Sequence, residues 1–237
     1  MIGRLLLFLV PIAALTLPSD AVHAQAAAER APDTMAARVL ACASCHGAEG
    51  EGTSDVYFPR LAGKPAGYLY NQLIAFRDGR RKYPPMNYLL EFLPDAYLQK
   101  MADHFASLRP PFPEPAIPTV STEILARGEG LVKEGDSKRG VPPCSACHGP
   151  ALGGMEPAIP GLLGLRASYL SAQLGGWRYG TRTAAAPDCM QIVAGLLTED
   201  DVKAVAAYLS SRPAPKDPSF APRGSLPMPL ECGSQPR

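Results

Sequence analysis

An all-α protein made of two tandem copies of one small domain is predicted by three observations: a long internal repeat, apolar positions at helical spacing, and no sustained alternation that would build a sheet. The repeat is the strongest of the three. Cys42-Ala43-Ser44-Cys45-His46-Gly47 recurs as Cys144-Ser145-Ala146-Cys147-His148-Gly149, an offset of 102. Pro59, Leu61, Gly63, Tyr68, Leu69, Gln72, Leu73, Arg77, Gly79 and Arg81 recur at an offset of 101 as Pro160, Leu162, Gly164, Tyr169, Leu170, Gln173, Leu174, Arg178, Gly180 and Arg182. Met86 and Met190 follow at 104. Such a period marks a duplicated domain, because solenoid units run to about 20–50 residues.

Taken in order, the chain opens with a positive charge at Arg4 and an apolar run from Leu5 to Leu17 broken by Pro11, then Val22-His23-Ala24. This is the pattern of a secretory signal peptide over residues 1–24, cleaved after Ala24. The run is too short for a bilayer span, which takes about 20 residues. An exported, periplasmic protein without a membrane span is expected, with peripheral membrane association left open.

The first domain is placed at 25–118. In it, Leu69, Leu73 and Phe76 share one face of a helix over 66–76. A second helix starts at Pro94-Asp95 and buries Leu98, Met101, Ala102 and Phe105. Dense proline in Arg109-Pro110-Pro111-Phe112-Pro113-Glu114-Pro115-Ala116-Ile117-Pro118 predicts an extended, semi-rigid spacer. The second domain, 119–212, begins with a helix over 122–133. It ends with one started by Thr198-Glu199-Asp200-Asp201, where Thr198 is a good N-cap and the acids suit the first turn. The rest, 213–237, is a proline-rich tail with no counterpart in the first copy.

Charge excludes one class of function. From Gln25 onward there are 22 Lys+Arg and 21 Asp+Glu (23 minus Arg4, 22 minus Asp20). That balance argues against nucleic-acid binding, which needs a basic excess. Domains this small are hard to stabilise with side chains alone, so something else is expected to fill each interior.

The cysteines say what. Cys-x-x-Cys-His is the attachment pattern for c-type haem: two thiols add across the haem vinyl groups, and the adjacent histidine reaches the iron. Cys42, Cys45, Cys144 and Cys147 are the predicted attachment residues and His46 and His148 the proximal ligands. A zinc ribbon would set its Cys pairs about 15–20 residues apart; here they fall in separate repeats, each with its own histidine. A thioredoxin-type site needs a βαβ setting that is absent, and a structural disulfide would not explain the histidines.

Each iron needs a second axial ligand. His104 is uncommitted, but it lies in the last helix of the first copy and its counterpart is Tyr208. Met101 falls on the apolar stripe, Met155 follows His148 too closely to reach the other face, Met35 precedes the motif and Met228 lies in the tail. Met86 and Met190 remain, at matching positions in short irregular loops, Tyr83-Pro84-Pro85-Met86 and Pro187-Asp188-Cys189-Met190. His/Met ligation raises a haem's potential and closes the coordination sphere, which favours electron transfer over oxygen or peroxide chemistry.

Both Cys-x-x-Cys-His-Gly motifs, the Pro-x-Leu-x-Gly segments, the Tyr-Leu-x-x-Gln-Leu helices, the Arg-x-Gly segments and both methionines resemble the cytochrome c4 family, over roughly 36–108 and 121–212. The resemblance implies two class I cytochrome c domains, His46/Met86 and His148/Met190 ligation, backbone carbonyls of Pro59 and Pro160 orienting the histidines, and two haems edge to edge. The tail, Cys189 and Cys232 depart from the pattern. Four of the six cysteines are committed to haem, and an even remainder in an oxidising compartment predicts a Cys189–Cys232 disulfide. Thiolate ligation by Cys189 and an intermolecular bridge through Cys232 are the alternatives.

The expected function is single-electron transfer between a respiratory donor, such as a quinol-oxidising complex, and a terminal oxidase or reductase. One alternative is the haem subunit of a periplasmic dehydrogenase of flavocytochrome c or alcohol dehydrogenase type. The other is a thiosulfate-oxidising dihaem enzyme. The run Arg77-Asp78-Gly79-Arg80-Arg81-Lys82 is a candidate for docking an acidic partner or pairing with haem propionates, or an ordinary solvated loop.

Overall fold

Helix periodicity and capping chemistry account for most of the elements. The computed structural model describes residues 33–54, 58–215 and 219–235; the signal segment expected at 1–24 lies outside them. The first half comprises α1 (Met35–Arg38), α2 (Leu40–His46), α3 (Ala66–Arg77), α4 (Pro84–Leu90) and α5 (Asp95–Ser107). The second comprises α6 (Thr122–Lys133), α7 (Cys144–His148), a two-residue antiparallel ladder of β1 (Gly154–Met155) and β2 (Ile159–Pro160), α8 (Ala167–Arg178), α9 (Cys189–Leu196) and α10 (Glu199–Ser210). Residues from Thr34 onward form one compact unit that holds both halves. Among the described residues no helix is long and apolar enough to cross a membrane.

Each half has its own apolar core. In the first, Leu69 and Phe76 of α3 pack with Leu98, Met101, Ala102 and Phe105 of α5. Leu98 and Ala102 are fully buried; cutting such a leucine to alanine costs about 2–5 kcal/mol. In the second, Leu131 and Val132 of α6 meet Val202, Val205 and Leu209 of α10. These two helices cross closely because position 128 is glycine: a Cβ there would lie 2.2 Å from the Ala204 carbonyl oxygen.

The start of α10 follows its sequence. Thr198 accepts from the Asp201 amide at 3.1 Å while Asp201 accepts from the Thr198 amide at 3.0 Å, a reciprocal capping box. The Asp201 carboxylate also holds Arg127 at 2.9 Å and Arg139 at 2.7 Å, tying α10 to α6 and to the turn before α7.

Two expectations change. The methionine segments are helical rather than irregular: Met86 lies in α4 and Met190 in α9. Pro84 and Pro85 occupy the first helical positions, where a missing N–H costs nothing and the fixed φ suits the turn. Asp188 caps α9 through the Gln191 amide. The run 77–82 is also no free basic face. Arg77 pairs with Asp78 and Asp95, and Arg80 with Asp78, while Arg81 turns into the contact between halves.

That contact is close to two-fold symmetric. Arg81 and Arg182 face each other as an antiparallel bridge. The Lys82 amide donates to the Thr181 carbonyl at 2.8 Å, and the Thr183 amide to the Arg80 carbonyl at 2.7 Å. The proline spacer is docked: the Arg60 guanidinium donates to the Pro110 and Pro111 carbonyls and lies 4.0 Å over the Phe112 ring. The tail is helix-free where described and is pinned by Ala221, which bonds through its backbone to Gly154 and Glu156, and by Gln235, which bonds to Ala158 and Glu156.

Candidate haem sites

Each Cys-x-x-Cys-His motif forms a short helix, α2 or α7, so its two cysteines sit about one turn apart with the histidine at the end. The glycine that follows, Gly47 or Gly149, has φ of 84° or 83°; this left-handed region suits glycine and turns the chain away after the histidine. None of the four motif cysteines is in a disulfide. Burial pushes the Cys42 and Cys147 thiols up, and that of Cys144 to about 11.

The histidines are held alike. Both are buried. The His46 Nδ1 lies 2.8 Å from the Pro59 carbonyl oxygen and the His148 Nδ1 lies 2.7 Å from that of Pro160. A carbonyl can only accept, so Nδ1 carries the proton and Nε2 keeps its lone pair for a metal. Burial lowers the pKa of each imidazole, which favours the neutral, ligating form.

In the second half, Cys144, Cys147, His148 and Met190 line one cavity, walled by Leu170 and Leu209 among others. In the first half Cys42 and Met86 both pack against the single core cluster. Cys189 is bonded to Cys232, and both residues also line the second cavity. The bridge excludes the thiolate alternative and the intermolecular one in this state. Met101 and Met155 are core residues, at 6% and 1% exposure. His104 packs edge-on against Phe105. Among the described residues no three His, Cys, Asp or Glu side chains cluster as a metal site.

A polar layer between the halves was not given a role by sequence reasoning. Arg81 donates to Gln72 at 2.9 Å and to Gln173 at 2.6 Å. Arg182 donates to Gln173 and Gln72, both at 2.8 Å, and to the Tyr68 hydroxyl at 3.2 Å. The signal was present: Tyr68, Gln72 and Arg81 recur as Tyr169, Gln173 and Arg182. Arg182 is buried, and no carboxylate pairs with it or with Arg81 among the described residues. Paired cysteines outside any disulfide, a histidine and a methionine lining one apolar cavity, and buried cations without a paired carboxylate together fit a haem with its two carboxylates.

A search against known families matches residues 34–102 to the cytochrome c family. Reduced recombinant cytochrome c4 from Pseudomonas stutzeri superposes with a TM-score of 0.65 at 30% identity, over 75% of this chain and 96% of that one. The chain belongs to the cytochrome c4 family. Like other dihaem cytochromes c4 it has two cytochrome c-like halves, its His and Met pairs indicate two covalent haem c groups, and it is an electron carrier rather than an enzyme. A relative from Stutzerimonas stutzeri (strain A1501), named thiosulfate dehydrogenase electron acceptor, is 39% identical over 73% of this chain and 79% of its own length. The structure of thiosulfate dehydrogenase (TsdBA) from Marichromatium purpuratum also matches, with TM-score 0.65, 36% identity and 73% of this chain covered; this chain spans only 36% of that larger protein.

Proposed function

We propose that this cytochrome c4 is a periplasmic electron acceptor for a separate thiosulfate dehydrogenase and passes the electrons to a terminal oxidase or reductase. The observation that carries the reading is the 39% identity to a relative named for that role. Similarity to part of a thiosulfate dehydrogenase structure supports it. The stoichiometry suits two haems: joining two thiosulfates through a sulfur–sulfur bond to give tetrathionate releases two electrons, one for each iron.

In this reading Cys42 and Cys45 attach one haem, and Cys144 and Cys147 the other, within domains 25–118 and 119–212. When bound, each haem supplies a one-electron Fe(III)/Fe(II) couple. The chain's own residues set its properties. His46 with Met86 would hold the first iron and His148 with Met190 the second, two protein ligands to each. The Pro59 and Pro160 carbonyls fix the imidazole orientation, and apolar walls keep water from the iron.

The test is a mixing experiment. The oxidised protein, purified from the periplasm, is combined with purified thiosulfate dehydrogenase and thiosulfate, and haem reduction is followed optically. Both haems should be reduced, with thiosulfate alone far slower. Reduction by a quinol-oxidising complex but not by the dehydrogenase would overturn the thiosulfate assignment in favour of a purely respiratory carrier.

A further inference from the structure

Lys64 breaks the symmetry of the duplicated domains. It belongs to the first half, at the start of the segment leading into α3, yet its side chain lines the second half's cavity. Tyr68, Asn71 and Gln72 line the same wall, at spacings of 4, 7 and 8 residues from Lys64, so one face of α3 closes the cavity of the other half. Lys64 is only 8% exposed. Its ammonium lies 5.9 Å from the Tyr68 ring, and no acidic side chain pairs with it among the described residues. Arg182, reaching into the same cavity, brings a second buried cation. At the repeat offset of 101 the counterpart of Lys64 is Leu165, which carries no charge.

A buried ammonium without a counter-ion is costly, and a charge in such a place is normally paired. Burial pulls the Lys64 pKa down, the Tyr68 hydroxyl beside it opposes this, and Arg60, Arg182 and Arg81 add to the lowering; no carboxylate pairs with the ammonium among the described residues. The one acidic side chain that lines the cavity among the described residues, Asp188, accepts from the Ala184 and Gln191 amides and pairs with neither Lys64 nor Arg182, whereas a haem carries two carboxylates.

We infer that Lys64 of the first half is the cross-domain counter-ion for a carboxylate of the second half's haem, and that it separates the two haem potentials. The inference rests on the His148/Met190 reading above. A cation beside the second haem opposes the extra positive charge of the ferric state, and so favours reduction there. Because the position equivalent to Lys64 is Leu165, the first haem lacks such a cross-domain lysine. The second haem is thus the one biased toward holding the electron.

The experiment compares wild type with Lys64→Met and Lys64→Arg in a redox titration of the intact dihaem protein. The reduced haems are distinguished by the NMR signals of their iron-bound methionine methyl groups. A Met190→Ala variant identifies the second haem's signal and checks the ligand reading separately. In Lys64→Met the second haem's reduction equilibrium should fall about tenfold, a shift of about 59 mV for one electron, with the first moving less. Lys64→Arg should stay near wild type. The methyl signals themselves report whether each variant keeps its fold and ligands. Unchanged potentials in Lys64→Met, or a larger shift at the first haem, would overturn the inference while leaving the ligand assignment standing. A second signal that survives Met190→Ala would overturn both.

Discussion

Cys189 is bonded to Cys232, 43 residues further along the chain, and Cys189 is the residue immediately before Met190. The bridge therefore anchors the tail at the base of the helix that presents the second thioether. We expect the unfolded, unreduced protein to carry no thiol that reacts with a labelling reagent once both haems are attached. In the chain-entropy account a loop of this length contributes about 4 kcal/mol, often less in practice. Paired Cys189→Ser and Cys232→Ser replacements should lower thermal stability accordingly, read by calorimetry, and should loosen the Met190 helix more than the Met86 helix. Two reactive thiols per wild-type chain would show that the bridge does not form.

The mature protein should weigh two haems more than its polypeptide. Cys45→Ala and Cys147→Ala each leave one thioether position in their half, so each should reduce or weaken covalent attachment there alone. Intact mass of protein matured in the periplasm reads this directly. A gain of a single haem in wild type would mean that one motif is not used.

Asp201 offers a pH-dependent check on the fold. Burial pushes its carboxyl up, but hydrogen bonds from Arg139, the Thr198 amide, Arg127 and the Thr198 hydroxyl outweigh this and hold it well below the usual carboxylate range. A depressed folded-state pKa contributes stability that is present above the unfolded value of about 4 and is lost as pH falls through the folded value. Asp201→Asn should thus cost about 1–3 kcal/mol at neutral pH. The gap to wild type should narrow below about pH 4. Denaturant unfolding at pH 7 and pH 3 measures both; an equal gap at the two values would mean that the carboxylate's charge is not what matters.

The layer between the halves should couple their unfolding. The Arg182 side chain makes three hydrogen bonds, two of them to the other half, and lies 3.7 Å over the Trp177 ring. Arg182→Met keeps much of its bulk but leaves Gln72 and Gln173 short of a donor. A loss of about 1–3 kcal/mol is expected, together with a broadened or split unfolding transition as the halves come apart. A single transition at the wild-type midpoint would show that the layer contributes little.

Why some of this was legible and some was not follows from what each residue does. The helices over 66–77 and 95–107 could be read because Leu69, Phe76, Leu98 and Phe105 must all face one core, and burial imposes a period. The chemistry could be read because thioether formation demands two cysteines and a histidine at fixed spacing. The α4 turn was hidden by its prolines, which end helices when inside them and begin them when first, and α9 by Pro187 just before its Asp188 cap. Arg81, Gln72 and their partners were visible as repeated residues but not as a layer, since polar pairing across an interface has no period. Lys64 was silent for a different reason: its meaning lies in being unlike Leu165.

In the proposed ligation the methionines set the potentials, and each can be tested in its own half. A thioether donates weakly to ferric iron and keeps its preference for the ferrous state, so losing it should lower the potential. Met86→Ala should depress the first haem and open it to carbon monoxide. Met190→Ala should do the same to the second, whose cavity also contains Leu230 and Cys232 of the tail. The two halves should respond unequally. Tail residues line the second cavity, while the helix of Met86 ends near exposed Leu89 and Phe92, at 58% and 86%. Carbon monoxide should therefore bind faster to Met86→Ala than to Met190→Ala, and releasing the tail with Cys232→Ser should remove most of that difference. Stopped-flow mixing of the reduced variants with carbon monoxide measures the two rates. Equal rates with the tail in place would mean that it does not guard the second iron.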